Sequence, residues 1–291
     1  MEDRVTAPTA TSDSSCHHLE SLLSQRIETG AVELPLLPKV AAEVLTMTYD
    51  PNAEAAKLAA LIHQDQVLAA HVIRVANSPA YMPRNPVVSL QHAVAMLGMN
   101  LLSEIAFTSS LKNAALQVEG FEREIKSLWQ HSLASGAYAK EVARMRRFNV
   151  ESAYLCGLLH AIGKPVVLQT AAALANEHNM VIEPGPLEQW LAGYHTRVGS
   201  LIAKEWGLPP QVAEAIAFYD YYDQATVARQ ECMTTCLADR LATHLLQPAS
   251  LDETALREHP VLADLNLYPD DVDALLQLKD KMGAVVDAMK L

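Results

Sequence analysis

An all-α fold is predicted by three features of this 291-residue sequence. Only 5% of residues are aromatic and only 11 are glycine, while Ala and Leu abound. That composition suits helices and lacks the β-branched and aromatic residues a sandwich or barrel needs. Between proline, glycine and Asn/Asp punctuation, side chains recur with helical period, and no strand-type alternation of useful length or internal repeat interrupts them.

The elements follow in order. Residues 1–16 are Thr/Ser/Ala-rich and read as a disordered tail, and His17–Thr29 reads as a helix closed by Gly30. Leu34-Pro35-Leu36-Leu37-Pro38 is an extended connector, because residues before proline are pushed out of the α region. Lys39–Tyr49 places Val40, Val44, Leu45 and Thr48 on one face, and an Asp50-Pro51-Asn52 turn caps Ala53–His63. Asp65 caps Gln66–Ala76, which Asn77-Ser78-Pro79 stops, with Asn77 expected in a left-handed turn and Arg74 expected to pair with an acid. Ser89 caps Leu90–Leu97, Gly98 ends it, and Asn100 starts a helix to about Ala115. Phe121–Phe148 is a long helical region with a candidate break near Lys126; Glu151–Ala161 ends at Gly163, and Pro165 opens a helix to His178. Pro184-Gly185-Pro186 reads as a loop before Leu187–Trp206; Pro210–Tyr219, Thr226–Leu246 and Asp270–Met289 follow.

Composition also excludes function classes. With 22 basic against 34 acidic residues the net charge is −12, which disfavours a non-specific nucleic-acid binder. Arg144, Arg146 and Arg147 are the local exception and suit a solvated helix end. The N-terminus lacks an apolar h-region, and Ala153–Ala175 contains His160, Lys164 and Pro165, so neither secretion nor a membrane span is expected. Cys16, Cys156, Cys232 and Cys236 form no zinc pattern and fit free thiols in a reducing cytoplasm.

The chemistry-bearing stretch is Leu158-Leu159-His160-Ala161-Ile162-Gly163-Lys164, read with His131 in Leu128-Trp129-Gln130-His131-Ser132, and with His195 and Asp239 downstream. It resembles the HD superfamily of metal-dependent phosphohydrolases, in which a His, an adjacent His-Asp pair and a later Asp hold a divalent ion. The N-terminal half narrows this. Leu34–Pro38, Asp50-Pro51, Leu61-Ile62-His63-Gln64-Asp65, Val72–Ser78 and Ala93–Gly98 are similar to the HDOD domain, a regulatory branch of that group. The resemblance runs from about Leu34 to Leu241 and takes in Trp206-Gly207-Leu208-Pro209 and Leu237–Leu241. It implies a two-lobed helical unit over residues 17–246, with an N-terminal lobe (17–119), an HD-like lobe (120–246), and a C-terminal helical extension (247–291) that packs against it or dimerises.

The departures matter most. Mapped onto the HD pattern, His131 and His160 match the first two histidines, His195 a later one and Asp239 the terminal Asp, but the Asp of the His-Asp pair is Ala161. Where metal-binding relatives have a His-His pair, this chain reads Phe218-Tyr219-Asp220-Tyr221. The four surviving residues are either ligands of a divalent ion (Mn, Fe or Mg) or a vestigial polar knot of buried, hydrogen-bonded imidazoles. Asp239 is either a site carboxylate or a partner for Arg240 or His131. Lys164 is either a helix-end cation or an anion contact.

No resident cofactor is expected. The expectation is a catalytically degenerate signalling module that binds a protein partner or small ligand, with sensory input arriving from another polypeptide. The alternative is a phosphohydrolase of a nucleotide or phosphate ester, with Tyr219 or Asp220 as a substitute water-orienting group.

Overall fold

The computed structural model of this chain describes residues 10–48, 55–83, 85–113 and 117–290, and among them every regular element is helical. The predicted Asp50-Pro51-Asn52 turn and residues 1–9 of the predicted tail lie outside the described residues. Helix α1 spans Ala10–Glu28, so Ala10–Cys16 are helical rather than part of a tail. No glycine or proline intervenes between Ala10 and Glu28 to stop the helix.

Helices α2 (Lys39–Thr48), α3 (Ala55–Gln64), α4 (Gln66–Ala76) and α5 (Leu90–Asn113) pack on one another as an N-terminal lobe. Asp65 Oδ1 accepts from the amides of Val67 (2.9 Å) and Leu68 (3.0 Å), the expected cap. Gly98, at φ 77°, breaks α5 where the sequence places a helix end. Asn77 is not left-handed, with φ −90°. Its amide group instead donates to the carbonyls of Ile73 (2.9 Å) and Val87 (2.8 Å), and its Oδ1 accepts from Val87 N (2.8 Å). That side chain closes the proline-rich loop onto the end of α4. Arg74 is exposed and makes no ion pair among the described residues.

The HD-like lobe consists of α6 (Glu122–Arg146), α7 (Val150–Leu159), α8 (Gly163–Glu177), α9 (Pro184–Glu205), α10 (Pro210–Phe218) and α11 (Arg229–Leu246). Helix α6 passes Lys126 without a break. Helix α9 starts at Pro184 because prolines lose nothing in a first turn, where their missing N–H has no helical partner. Helix α11 starts three residues later than the apolar pattern suggests. The Glu214 carboxylate accepts from the amides of Thr226 (2.7 Å), Val227 (2.9 Å) and Ala228, holding them as a turn ahead of the helix.

The sequence did not say which helices the two terminal segments pack on. Helix α1 does not join the N-terminal lobe: Leu19, Leu23 and Ile27 pack with Val166, Leu174, Leu187 and Trp190 of α8 and α9. The C-terminal extension is broken into α12 (Glu253–Arg257), α13 (Val261–Asp264), α14 (Pro269–Gln277) and α15 (Lys279–Met289), and α15 lies against α6, α4 and α5. Two segments, Leu90–Lys112 and Val150–Glu177, are long and apolar enough to cross a membrane; most of the second is buried between the other helices.

Helix contact in the HD-like lobe relies on missing side chains. A Cβ on Gly157 of α7 would lie 2.7 Å from Ser135 O and 2.8 Å from Ala139 Cβ on α6. A Cβ on Gly163 would lie 2.0 Å from the His195 carbonyl oxygen. Gly163→Ala is therefore expected to cost about 3 kcal/mol in urea unfolding, because backbone must move. Gly193→Ala, in the same helix as His195 but with open space around its Cα, should stabilise by about 0.5–1 kcal/mol.

Candidate functional site

The close α6–α7 crossing at Gly157 sets the distance between the two histidines that flank it. His131, one helical turn before that crossing on α6, and His160, the residue that follows α7, approach with ring centroids 5.7 Å apart. Asp239 of α11 completes the group: its Oδ1 lies 2.8 Å from His131 Nε2 and 3.0 Å from His160 Nε2. The coordinating atoms of these three residues lie within 4.8 Å of one another. Of the two roles open to Asp239, the histidine contacts are the ones observed; Arg240 pairs with Asp220 instead (3.1 Å).

The hydrogen-bond roles in this group are constrained. His160 Nδ1 lies 2.7 Å from the Gly157 carbonyl, which can only accept, so Nδ1 carries the proton. A neutral ring then turns the Nε2 lone pair toward the Asp239 carboxylate. Two acceptors at that distance need a cation between them, either a proton or a metal ion. The donor set of two imidazole nitrogens and one carboxylate oxygen suits a first-row divalent ion, so a metal fits these three residues. Burial alone would raise the Asp239 carboxyl, but the hydrogen bonds from His131 and His160 outweigh it and hold it well below the ordinary range. Burial lowers His131 against the pull of Asp239.

His195 is not part of this group. The α8–α9 contact at Gly163 holds its backbone, its Nδ1–H donates to Ala192 O (2.9 Å), and its Nε2 accepts from the Tyr219 hydroxyl (3.0 Å). Tyr219 packs edge-on against His160 with centroids 4.8 Å apart. The phenol thus touches both His160 and His195, linking His195 to the other three residues. Ala161 is 4% exposed and supplies no ligand atom. Lys164, in the first turn of α8, is half-buried and makes no ion pair among the described residues. Its charge reinforces burial in depressing His131 and His195.

An HDOD domain matches residues 34–222 of this sequence. The chain belongs to the HDOD family. Solved structures share the fold. One, from Shewanella amazonensis SB2B and provisionally named a metal-dependent phosphohydrolase, superimposes with a TM-score of 0.72 at 22% identity, covering 95% of this chain and 100% of that one. An HDOD domain protein of unknown function from Geobacter sulfurreducens gives 0.70 at 23% identity over 95% and 97% of the two chains. A protein from Marinobacter aquaeolei VT8, provisionally named for signal transduction, gives 0.68 at 24% identity over 95% of this chain and 66% of that one. An uncharacterized Treponema pallidum (strain Nichols) protein is 24% identical over 211 residues, 69% of this chain, which spans 39% of that relative's length.

One consequence of this geometry is a pH dependence of folding. Burial holds His195 down to about 4, and does the same to His71 of α4, which is fully buried with both ring nitrogens unpartnered among the described residues. Between pH 6.5 and about 4 the folded chain binds fewer protons at these rings than the unfolded chain, so stability falls as pH falls through that window. Each ring accounts for up to about 3 kcal/mol. Urea midpoints recorded from pH 7.5 to 4.5 should decline, and His71→Leu should make the decline shallower.

Proposed function

We propose that this HDOD protein is a catalytically degenerate signal-transduction module, acting by binding a signalling protein or a small ligand rather than by turning over a substrate. The observation that carries this reading is the pair Ala161 and Tyr219. The first removes the carboxylate next to His160; the second takes the Nε2 of His195 into a hydrogen bond. What remains is a three-residue cluster tying α6, the end of α7 and α11 together. His131, His160 and Asp239 could hold a divalent ion, and a bound ion supplies charge that polarises an oxygen ligand. Two groups that could substitute as a base are engaged elsewhere, Asp220 by Arg240 (3.1 Å) and His195 by Tyr219 (3.0 Å).

The same reading places the protein in the cytoplasm, away from membranes and nucleic acid. The basic trio supports it: Arg144 pairs with Glu141 (2.7 Å), Arg146 donates to Asn266 O (3.3 Å), and Arg147 forms the left-handed end of α6. These cations are largely spent on helix ends and on the C-terminal extension. Partner binding by a second copy of the chain belongs to the same proposal. The phosphohydrolase alternative draws its support from the convergence of His131, His160 and Asp239 on one point.

The test is direct. Protein incubated with Mn²⁺ or Fe²⁺, then desalted, is assayed for bound metal and for hydrolysis of bis(p-nitrophenyl) phosphate and of nucleotides. The proposal expects no turnover above buffer, whatever the metal content. Turnover that His160→Ala abolishes would establish the hydrolase reading instead.

A further inference from the structure

A cleft of about 370 Å³ opens where the two lobes and the C-terminal extension meet, between α5, α6, α7 and α15. Three acidic and three basic side chains line it, and they pair unevenly. At one end Glu141 of α6 takes both Arg144 (2.7 Å) and Lys281 of α15 (2.9 Å). Two cations share one acid there. At the other end Glu104 of α5, only 8% exposed, takes Lys140 of α6 (2.5 Å). Glu151 of α7 beside it accepts from the Asn100 amide group and makes no ion pair among the described residues. Two acids share one cation there, and that cation is held over the Tyr154 ring, 5.4 Å from its centroid. The carboxyl groups register the difference. Burial would raise Glu141, but Lys281 and Arg144 outweigh it and hold it down. Burial, joined by the like charge of Glu151, raises Glu104 against the pull of Lys140.

The cleft is therefore neutral in sum and dipolar in arrangement. A second cavity of about 200 Å³ adjoins the acidic end, sharing Asn100, Glu104, Glu151 and Tyr154 with the first. Its other walls include Met47, Met99 and Phe107, and no cation among the described residues lines it. We propose that the pair of cavities binds a small zwitterionic amino acid with an apolar side chain. Its carboxylate meets Arg144 and Lys281, its ammonium group meets Glu104 and Glu151, and its side chain enters the Met–Phe cavity. A simple anion leaves the acidic end unmatched, a simple cation the basic end, and an apolar occupant desolvates both without compensation. This ligand class rests on the regulatory reading, yet the site shares no lining residue with the histidine–aspartate cluster. An occupant touches the N-terminal lobe through α5, the HD-like lobe through α6 and α7, and the extension through α15. Contacts that differ between arrangements of those parts let a ligand favour one arrangement.

L-Leucine is the probe; isoamylamine lacks its carboxylate and isocaproate lacks its amino group. Titration calorimetry on the full chain should show saturable leucine binding, about tenfold tighter than either counterpart, the worth of one charged hydrogen bond. Glu151→Gln should weaken leucine and isoamylamine about tenfold and leave isocaproate unchanged. Arg144→Gln should weaken leucine and isocaproate and leave isoamylamine unchanged. Each variant is first shown folded by its melting curve, and a merely structural role for the two residues would not give this crossed pattern. Absence of saturable binding at millimolar leucine overturns the inference. So does isoamylamine or isocaproate binding as tightly as leucine, or leucine binding that survives both substitutions in folded protein. Phosphoester turnover would sink the regulatory reading while leaving a cleft that binds leucine standing; no turnover and no leucine binding sinks the cleft alone.

Discussion

The Asp239 carboxylate is the point on which the HD-like lobe depends. It is one acid on α11 shared by two imidazoles, one on α6 and one following α7, so a single oxygen fixes the mutual placement of three helices. The glycine crossing makes this geometry reachable. With any larger residue than Gly157, α7 would stand off from α6 and His160 would no longer meet the carboxylate that His131 holds. The acid in turn stays ionised although buried, because two hydrogen bonds from imidazoles outweigh its desolvation.

Chemistry is decided one residue further out. A metal-activating site needs spare groups around its ion, to hold it and to move protons. Here the neighbouring position is Ala161, and the nearest further imidazole, His195, is engaged by Tyr219. The phenol satisfies a buried ring nitrogen and packs on His160, so one side chain serves packing and hydrogen bonding at once. Under the proposed regulatory reading, the cluster keeps a structural role.

Local features were legible in the sequence. The Asp65 cap, the bounds of α4, the break at Gly98 and the stop at Gly207 depend on residues within a few positions of one another, where propensity and capping suffice. The family motifs also named His131, His160 and Asp239 before their convergence was visible. What stayed hidden is long-range. Nothing in the period of α1 says that it packs on α8 and α9 across 140 residues of chain. Glu214 reads as an ordinary surface acid until α11 arrives to offer its amides. Asn77 looked like a left-handed turn residue because its partner, Val87, lies ten positions away. Tyr219 was visible as a departure from the His-His pattern, but its bond to His195 was not.

The geometry implies that the histidine–aspartate cluster holds the fold together independently of any metal. Urea unfolding of the chain and of Asp239→Asn, both in excess EDTA, tests it most directly. The claim predicts a loss of about 3 kcal/mol for the variant, the cost of leaving buried imidazoles without their shared acid. Equal stability of the two proteins in EDTA, with a difference appearing only when Mn²⁺ is added, would contradict it.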